Sequence, residues 1–298
     1  MAKLKNYILD FLNYLNFEKN YSQNTINAYN GDLNEMKTYL DSYNGETELN
    51  QIDRSALQFF LSHISQKKIS ARTLSRKIAT IKSFFKYMVE QEILDKNITK
   101  GISFPKVPKK LPSFLTEKEI EKLMEIPEFH SKNPIRDILI LELLYSSGMR
   151  INELVSIKMD DIRLEEGLIK VVGKGNAERD VLVGSFAKES LKKYLNNRKS
   201  NQSKFLFPAE HKNSKTGHVS VRKTYGDIKK YLLLATGNDA LSPHSIRHTT
   251  ATRILNYSKD ITKVQAALGH ADLRSAERYA KVDFEELRAA MERRNTKS

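Results

Sequence analysis

The chain has 298 residues, and its 50 Lys and Arg against 36 Asp and Glu give a formal net charge of +14. This length favours two domains, and the excess of positive charge favours a polyanionic partner such as nucleic acid. The absence of cysteine excludes disulfides, thiolate catalysis and cysteine-based zinc fingers. Because no apolar run has the length of a membrane span and the N-terminus lacks a signal-peptide core, we expect a soluble cytoplasmic protein that binds no membrane.

The first ninety residues are predicted to be helical. Apolar side chains recur there at the spacing of one helix face, and Ser22 is a candidate hydroxyl cap. The predicted helices run from Lys5 to Leu15, from Ser22 to Leu40, from Ser55 to Ser65 and from Ala71 to Glu90.

The last of these helices carries basic side chains at intervals of four residues, beginning at Lys68, and no acidic residue occurs between Arg54 and Val89. Such a helix face either faces solvent or lies along DNA. The absence of acidic residues that could compensate the charge favours contact with DNA. We call these side chains the basic stripe. The candidate contacts to the DNA backbone are Lys68, Arg72, Arg76, Lys77 and Lys82.

A segment with three prolines and three lysines, residues 105–113, cannot form a helix interior and is typical of an extended basic linker. It predicts one domain at residues 1–104 and a second at residues 114–298. The second domain is predicted to open with a helix capped by Thr116 and Glu119.

The most apolar helix of the chain is predicted from Asn133 to Leu144. Gly148 would end it and allow another helix to start at Arg150, so Arg150 would lie beside a helix N-terminus, where anions bind. The pattern then changes to strands, which are predicted at Ile162–Leu164, Leu168–Val172 and Asp180–Val183. Lys174 would stand at the tip of the hairpin between the last two.

The remainder, from Ser185, is predicted to be helical apart from a polar loop at Glu210–Gly217. It contains the run PHSIRHTTAT, with His244 and Arg247, and later LGH, with His270, followed nine residues on by Tyr279. Each feature alone has an ordinary explanation, such as a surface arginine, a plain turn or a packed tyrosine.

Together, and in this order, GMRINEL, the hairpin lysine, PHSIRHTTAT, LGH and the tyrosine resemble the tyrosine site-specific recombinases of the phage integrase family. The resemblance covers essentially the whole chain and is strongest to the Xer recombinases. It implies a mainly α fold (α+β). Residues 1–104 would be a helical SAM-like core-binding domain that binds DNA, and residues 114–298 a catalytic domain with a small antiparallel sheet.

The resemblance also implies a reaction without metal, ATP or any other cofactor. A tyrosine attacks a phosphodiester to give a 3′-phosphotyrosyl bond, so the bond energy is kept. The resemblance implies that Tyr279 is the nucleophile and that Arg150 and Arg247 bind the phosphate. Lys174 would donate a proton to the leaving 5′ oxygen, and His244 would be a general base or proton shuttle. His270 would donate a hydrogen bond to the phosphate, and Glu153 and His248 would have supporting roles.

A zinc site is the local alternative, because His244 and His248 are four residues apart on a predicted helix. Arg247 lies between them and would repel a cation, and no Cys or well-placed Glu completes a ligand set. Departures from the family pattern include Arg253 in place of a histidine and Lys259 in a turn that usually contains glycine. They leave the subfamily open and remove no catalytic group.

The partners implied are double-stranded DNA with a specific recombination site and a homo- or hetero-tetramer of recombinases, with a septal DNA translocase as a further candidate. The product would be resolved chromosome or plasmid dimers, formed through a Holliday junction at the nucleoid. The C-terminal tail, about residues 283–298, would dock into a neighbouring subunit or fold back on its own domain. The alternatives are an integrase of a mobile element, a type IB topoisomerase and a non-catalytic basic DNA-binding protein.

Overall fold

The structure is a computed structural model that describes residues 3–106, 114–173, 177–198, 203–211 and 214–268. Lys174, His270, Tyr279, most of the linker and the predicted docking tail lie outside the described residues. The chain divides into two compact units, Met1–Lys110 and Leu111–Ser298.

The first unit contains the predicted helices, which are confirmed. They are α1 Leu4–Phe17, α2 Gln23–Asn44, α3 Arg54–Gln66 and α4 Ala71–Glu90. Side-chain caps set several of the starts, because the oxygens of Ser22, Asp53 and Ser70 accept hydrogen bonds from otherwise unpaired N–H groups of the first turn. The core between the helices is rich in aromatic rings, among them Phe11 edge-on to Phe84 with centroids 5.6 Å apart.

The packing of α2 on α4 depends on a buried carboxylate, Asp32, which is only 3% exposed. It accepts hydrogen bonds from Lys77 Nζ at 2.9 Å, from Thr80 Oγ1 at 3.0 Å and from Arg76. Lys77 also donates to Glu35, at 2.5 Å. A buried charge is tolerated when it is paired and hydrogen-bonded in this way.

These contacts correct the interpretation of the basic stripe. Arg76 and Lys77 do have compensating acids, which α2 supplies from more than forty positions upstream. Lys77 is buried, which acts to lower its pKa, but the hydrogen bonds that it donates to Glu35 and Asp32 outweigh burial and raise the pKa. Lys77 therefore holds α4 to α2 and is not available to DNA.

The second unit combines helices with one small sheet. Its helices are α5 Glu117–His130, α6 Pro134–Ser147, α7 Ile151–Val155, α8 Ser185–Asn197, α9 Val221–Thr236, α10 Pro243–Ser258 and α11 Ile261–Leu268. Thr116 and Glu119 form the predicted capping box. Between α8 and α9 the described residues contain no helix, so the irregular interruption is longer than the predicted loop.

Helix α6 lies at the centre of this unit and packs against α5, α8 and α10. Leu139, Leu141 and Leu143 are fully buried, as expected for the most apolar helix of the chain. Its C-terminal end is tied to α10, where the Thr250 hydroxyl donates to the carbonyl oxygen of Tyr145 at 2.8 Å. The residues that follow α6 are therefore held close to α10.

The sheet is antiparallel in the order β1 Ile162–Arg163, β2 Leu168–Val172 and β3 Glu178–Leu182. The predicted strands are confirmed, but β3 begins two residues earlier than predicted. In the β2–β3 register, Arg179 lies opposite Val171, which is buried. Because residues paired across an antiparallel sheet point to the same face, Arg179 lies on the inner face.

We expect Asp32→Ala to lower the free energy of unfolding of the protein by about 3 kcal/mol, because it leaves Lys77 buried with one partner fewer. Urea titration followed by circular dichroism measures this. Asp10→Ala, which removes an exposed carboxylate from α1, is the matched control and should change stability by less than about 0.5 kcal/mol. Equal effects of the two substitutions would contradict the structural importance of Asp32.

Candidate active site

The turn between α6 and α7 brings Arg150 to the site. Gly148 ends α6 with φ +62°, a left-handed conformation that favours glycine. A Cβ at this position would also lie 2.4 Å from Leu268 Cδ2, so the side chain of Leu268 would have to shift to make room for it. Arg150 then precedes the first residue of α7, as the sequence predicted, and its side chain is 40% exposed.

Glu153 fixes Arg150 from one turn further along. One oxygen of its carboxylate accepts the backbone N–H of Arg150 at 2.8 Å, and the other accepts Arg150 Nη1 at 3.0 Å. Glu153 itself is buried, with 3% of its side chain exposed. The carboxylate thus orients both the backbone and the guanidinium of the arginine that it supports.

Arg179, which the sequence analysis did not single out, completes this arrangement from β3. Its Nη1 donates to Glu153 Oε1 at 3.0 Å and its Nη2 donates to Glu153 Oε2 at 2.8 Å, a two-pronged pairing of guanidinium with carboxylate. The signal that could have found it is the alternation along β3, since an inward-facing charge needs a partner. We call Arg150, Glu153 and Arg179 the Glu153 cluster.

The charge of Glu153 is set by a balance of opposing effects. Burial acts to raise its pKa, but the hydrogen bonds from Arg179 and from Arg150 outweigh burial and lower it. Glu153 is therefore ionised at neutral pH. Two arginines share this carboxylate, so the cluster retains a net positive charge beside the exposed part of Arg150.

Arg247 reaches the same place from the first turns of α10 and is buried. Its guanidinium donates to the carbonyl oxygen of Gly148 and, at 2.7 Å, to that of Leu268. Burial lowers its pKa to about 10, and the positive charge of Arg150 adds to this effect, whereas Glu153 opposes it. Arg247 remains protonated at neutral pH. An anion bound beside it would stabilise its buried positive charge.

His244 and His248 both lie exposed on α10. The pKa of His244 is lowered by partial loss of hydration and then by the nearby charges of His248, Arg247 and Arg150. A neutral imidazole at neutral pH can accept a proton, as a general base must. Within the described ranges, no group of three or more His, Asp or Glu side chains is placed to hold a metal ion.

The structure thus brings together Arg150, Glu153, Arg247 and His244 from α7, α10 and the turn before α7, and it adds Arg179. The hairpin that carries Lys174 starts beside them: Gly173 N donates to the Ala177 carbonyl at 2.7 Å at the neck of the hairpin. The assignments of Lys174, His270 and Tyr279 fall outside the described residues and stay predictions.

In the first unit, part of the basic stripe is open to a ligand. Lys68 and Arg72 are exposed. Lys82 is half-buried, with Nζ 4.7 Å from the centroid of the Phe104 ring, a cation–π contact. Arg76 is 41% exposed although it pairs with Asp32.

Comparison with known proteins identifies both units. The phage integrase family matches residues 113–286, and the N-terminal SAM-like domain of phage integrases matches residues 8–92. The chain belongs to the phage integrase family. The protein named tyrosine recombinase XerC in Bacillus subtilis (strain 168) is 35% identical over 297 residues, which cover 97% of this chain and 95% of that protein. The protein named tyrosine recombinase XerD in Staphylococcus haemolyticus (strain JCSC1435) is 37% identical over 243 residues, which cover 80% of this chain and 81% of that protein.

Solved structures agree with this membership. The XerH site-specific recombinase bound to palindromic difH substrate, in a post-cleavage complex, superposes with a TM-score of 0.68 at 26% identity, covering 96% of this chain and 88% of that one. A lambda integrase dimer on a COC′ core site has a TM-score of 0.67 at 18% identity, covering 95% of this chain and 99% of that one, which supports the fold.

As a member of the phage integrase family and a relative of the Xer proteins, the chain is a tyrosine recombinase, an enzyme that cleaves and rejoins DNA. The predicted fold class, mainly α with a SAM-like first domain and a small antiparallel sheet, is confirmed. Over the described residues, no helix is both long and apolar enough to cross a membrane.

The lowered pKa of His244 can be measured by NMR titration of the histidine-labelled protein, with His244→Gln to assign its signal. We expect a pKa below the usual value of about 6.5, so that the ring is neutral at pH 7. Removing the neighbouring charge in His248→Gln should raise the pKa of His244 part of the way back. A pKa at or above the usual value would contradict the electrostatic description of the site.

Proposed function

We propose that this tyrosine recombinase exchanges strands between two specific DNA sites, as Xer recombinases do, and that it resolves chromosome or plasmid dimers through a Holliday junction. The observation that carries the proposal is the Glu153 cluster with Arg247, a group of arginines gathered around one carboxylate at the exposed Arg150. Full-length similarity to proteins named XerC supports the same function.

In this proposal, the scissile phosphate is bound by the two arginines that the sequence motifs singled out. Arg150 and Arg247 would hold the non-bridging oxygens and stabilise the charge that builds up on them in the transition state. A tyrosine hydroxyl with an ordinary pKa of about 10 is a weak nucleophile at pH 7 until a base takes its proton. His244, whose lowered pKa keeps it neutral, would accept the proton of Tyr279, directly or as a shuttle.

The roles of Tyr279, Lys174 and His270 in this proposal come from the resemblance to the phage integrase family. Tyr279 would attack the phosphorus and form a 3′-phosphotyrosyl bond, while Lys174 would give a proton to the departing 5′ oxygen. His270 would donate a hydrogen bond to the phosphate. Attack by the freed 5′ hydroxyl of the partner strand reverses these steps, which explains why no external energy source is needed.

The proposed DNA substrate rests on charge and on relatives. The XerH complexes contain difH DNA, and the overall charge of +14 suits a polyanion. Lys68, Arg72 and Arg76 remain candidates for contacts to the DNA backbone, with Lys82 beside them. Assembly as a tetramer, docking of residues 283–298 into a neighbour and activation by a septal DNA translocase are part of this proposal.

The nucleophile is tested with a nicked suicide DNA site, on which cleavage traps the enzyme. We expect the wild-type chain to form a covalent protein–DNA adduct and Tyr279→Phe to form none, because the attacking oxygen is missing. Denaturing gel electrophoresis with end-labelled DNA detects the adduct. Tyr257→Phe, which changes an exposed tyrosine at the end of α10, is the matched control.

Adduct formation by Tyr279→Phe would refute the assignment of the nucleophile, and a wild-type chain that binds DNA without any adduct would support the non-catalytic alternative. Relaxation of supercoiled plasmids without a specific site would favour topoisomerase activity. A natural site that flanks the gene's own element would favour a mobile-element integrase over the housekeeping enzyme.

The stripe is tested through the salt dependence of DNA binding. Each lost phosphate contact should reduce the slope of log K against log salt concentration by about 1. We expect this for Arg72→Gln but not for Lys5→Gln, an exposed lysine on α1. Fluorescence anisotropy over a range of salt concentrations measures the slope, and identical slopes for the two variants would remove Arg72 from the interface.

A further inference from the structure

We propose that Arg179 is a positioning residue for DNA cleavage: by holding Glu153 from the hairpin strand, it fixes the guanidinium of Arg150 where the scissile phosphate binds. The inference rests on the proposed function, because it takes Arg150 as a phosphate ligand. Neither the sequence motifs nor the similarity to relatives assigns anything to Arg179.

The geometry of Arg179 suits support better than direct contact with DNA. Both terminal nitrogens are committed to the two oxygens of Glu153, at 3.0 and 2.8 Å. Its Nε is buried and has no hydrogen-bond partner in the part of the chain that the structure describes. Its side chain is 17% exposed, whereas that of Arg150 is 40% exposed. Of the two arginines on Glu153, Arg150 is the one that a phosphate can reach.

The shared carboxylate makes the position of Arg150 depend on Arg179. Glu153 Oε1 accepts a hydrogen bond from Nη1 of each arginine, and Oε2 accepts Arg179 Nη2 together with the backbone N–H of Arg150. Without Arg179, a carboxylate that is almost fully buried would have Arg150 as its remaining cationic partner. It would then shift toward Arg150, and the guanidinium would turn away from the substrate.

The same contact ties the hairpin to the arginine turn. Arg179 follows the neck of the hairpin, and a Cβ added to Gly173 would lie 3.4 Å from Arg179 Nη1 and 3.6 Å from Glu153 Oε1. These distances show that the neck of the hairpin runs directly beside the ion pair. Strand β3 and the start of α7 come from separate parts of the chain, and Arg179 joins them through one carboxylate.

The test compares Arg179→Met and Arg179→Lys on two substrates, an ordinary suicide site and one with a methylphosphonate at the scissile position. The methyl group removes the negative charge that Arg150 would neutralise, so a displaced Arg150 matters less there. On the phosphodiester, we expect the single-turnover cleavage rate with excess enzyme to fall by about 100-fold in Arg179→Met, the cost of a displacement of about 1 Å. Arg179→Lys keeps the charge but loses the two-pronged geometry and should be intermediate.

On the methylphosphonate, the difference between wild type and Arg179→Met should shrink to about threefold or less, because the interaction that was disturbed no longer contributes. Arg163→Met and Arg163→Lys are the matched controls. Arg163 lies in the same sheet and forms an ion pair with Asp180, but both side chains are about 40% exposed and neither contacts Glu153. These controls should cleave both substrates at the wild-type rate.

An equal loss on both substrates would overturn the proposal, because Arg179 would then act through something other than Arg150. A lower melting temperature with an unchanged cleavage rate would overturn it as well, since the contact would then be merely structural. Arg150→Ala distinguishes failure of the proposed function from failure of the role of Arg179: if this variant cleaves the phosphodiester normally, the proposed function of Arg150 fails, whatever Arg179 does.

Discussion

The catalytic unit depends on one buried carboxylate that two arginines share. Glu153 is almost inaccessible to water, and its ionised state persists because hydrogen bonds from Arg150 and Arg179 exceed the cost of burial. A carboxylate in this position aligns guanidinium groups that would otherwise repel one another. The result is a fixed group of positive charges around the exposed Arg150, where we propose that the scissile phosphate binds.

The scaffold around Glu153 explains why distant pieces of sequence meet there. Helix α6 is buried and ends at Gly148, whose left-handed conformation turns the chain toward α7. Helix α10 is tied to that same end through Thr250 and Arg247. Arg247 also holds the carbonyl of Leu268, two residues before His270, so the site is connected to the segment that carries the remaining predicted catalytic residues.

Much of this could be predicted from the sequence because it is local. Helix starts followed from Ser22 and Thr116, and the position of Arg150 after a helix end followed from Gly148. What the sequence did not predict depends on contacts between distant residues. The stripe on α4 looked uncompensated because its acids, Asp32 and Glu35, lie on α2. Arg179 was missed because β3 begins two residues earlier than predicted and because its partner lies 26 positions upstream.

The most direct test is the structure of the enzyme covalently trapped on a suicide DNA site. We expect a phosphate bonded to Tyr279 with guanidinium nitrogens of Arg150 and Arg247 about 3 Å from its non-bridging oxygens, and Arg179 still paired with Glu153. A phosphate bound by Arg179 itself, or lying away from Arg150, would contradict the role of Arg150 as the phosphate ligand that Glu153 and Arg179 position.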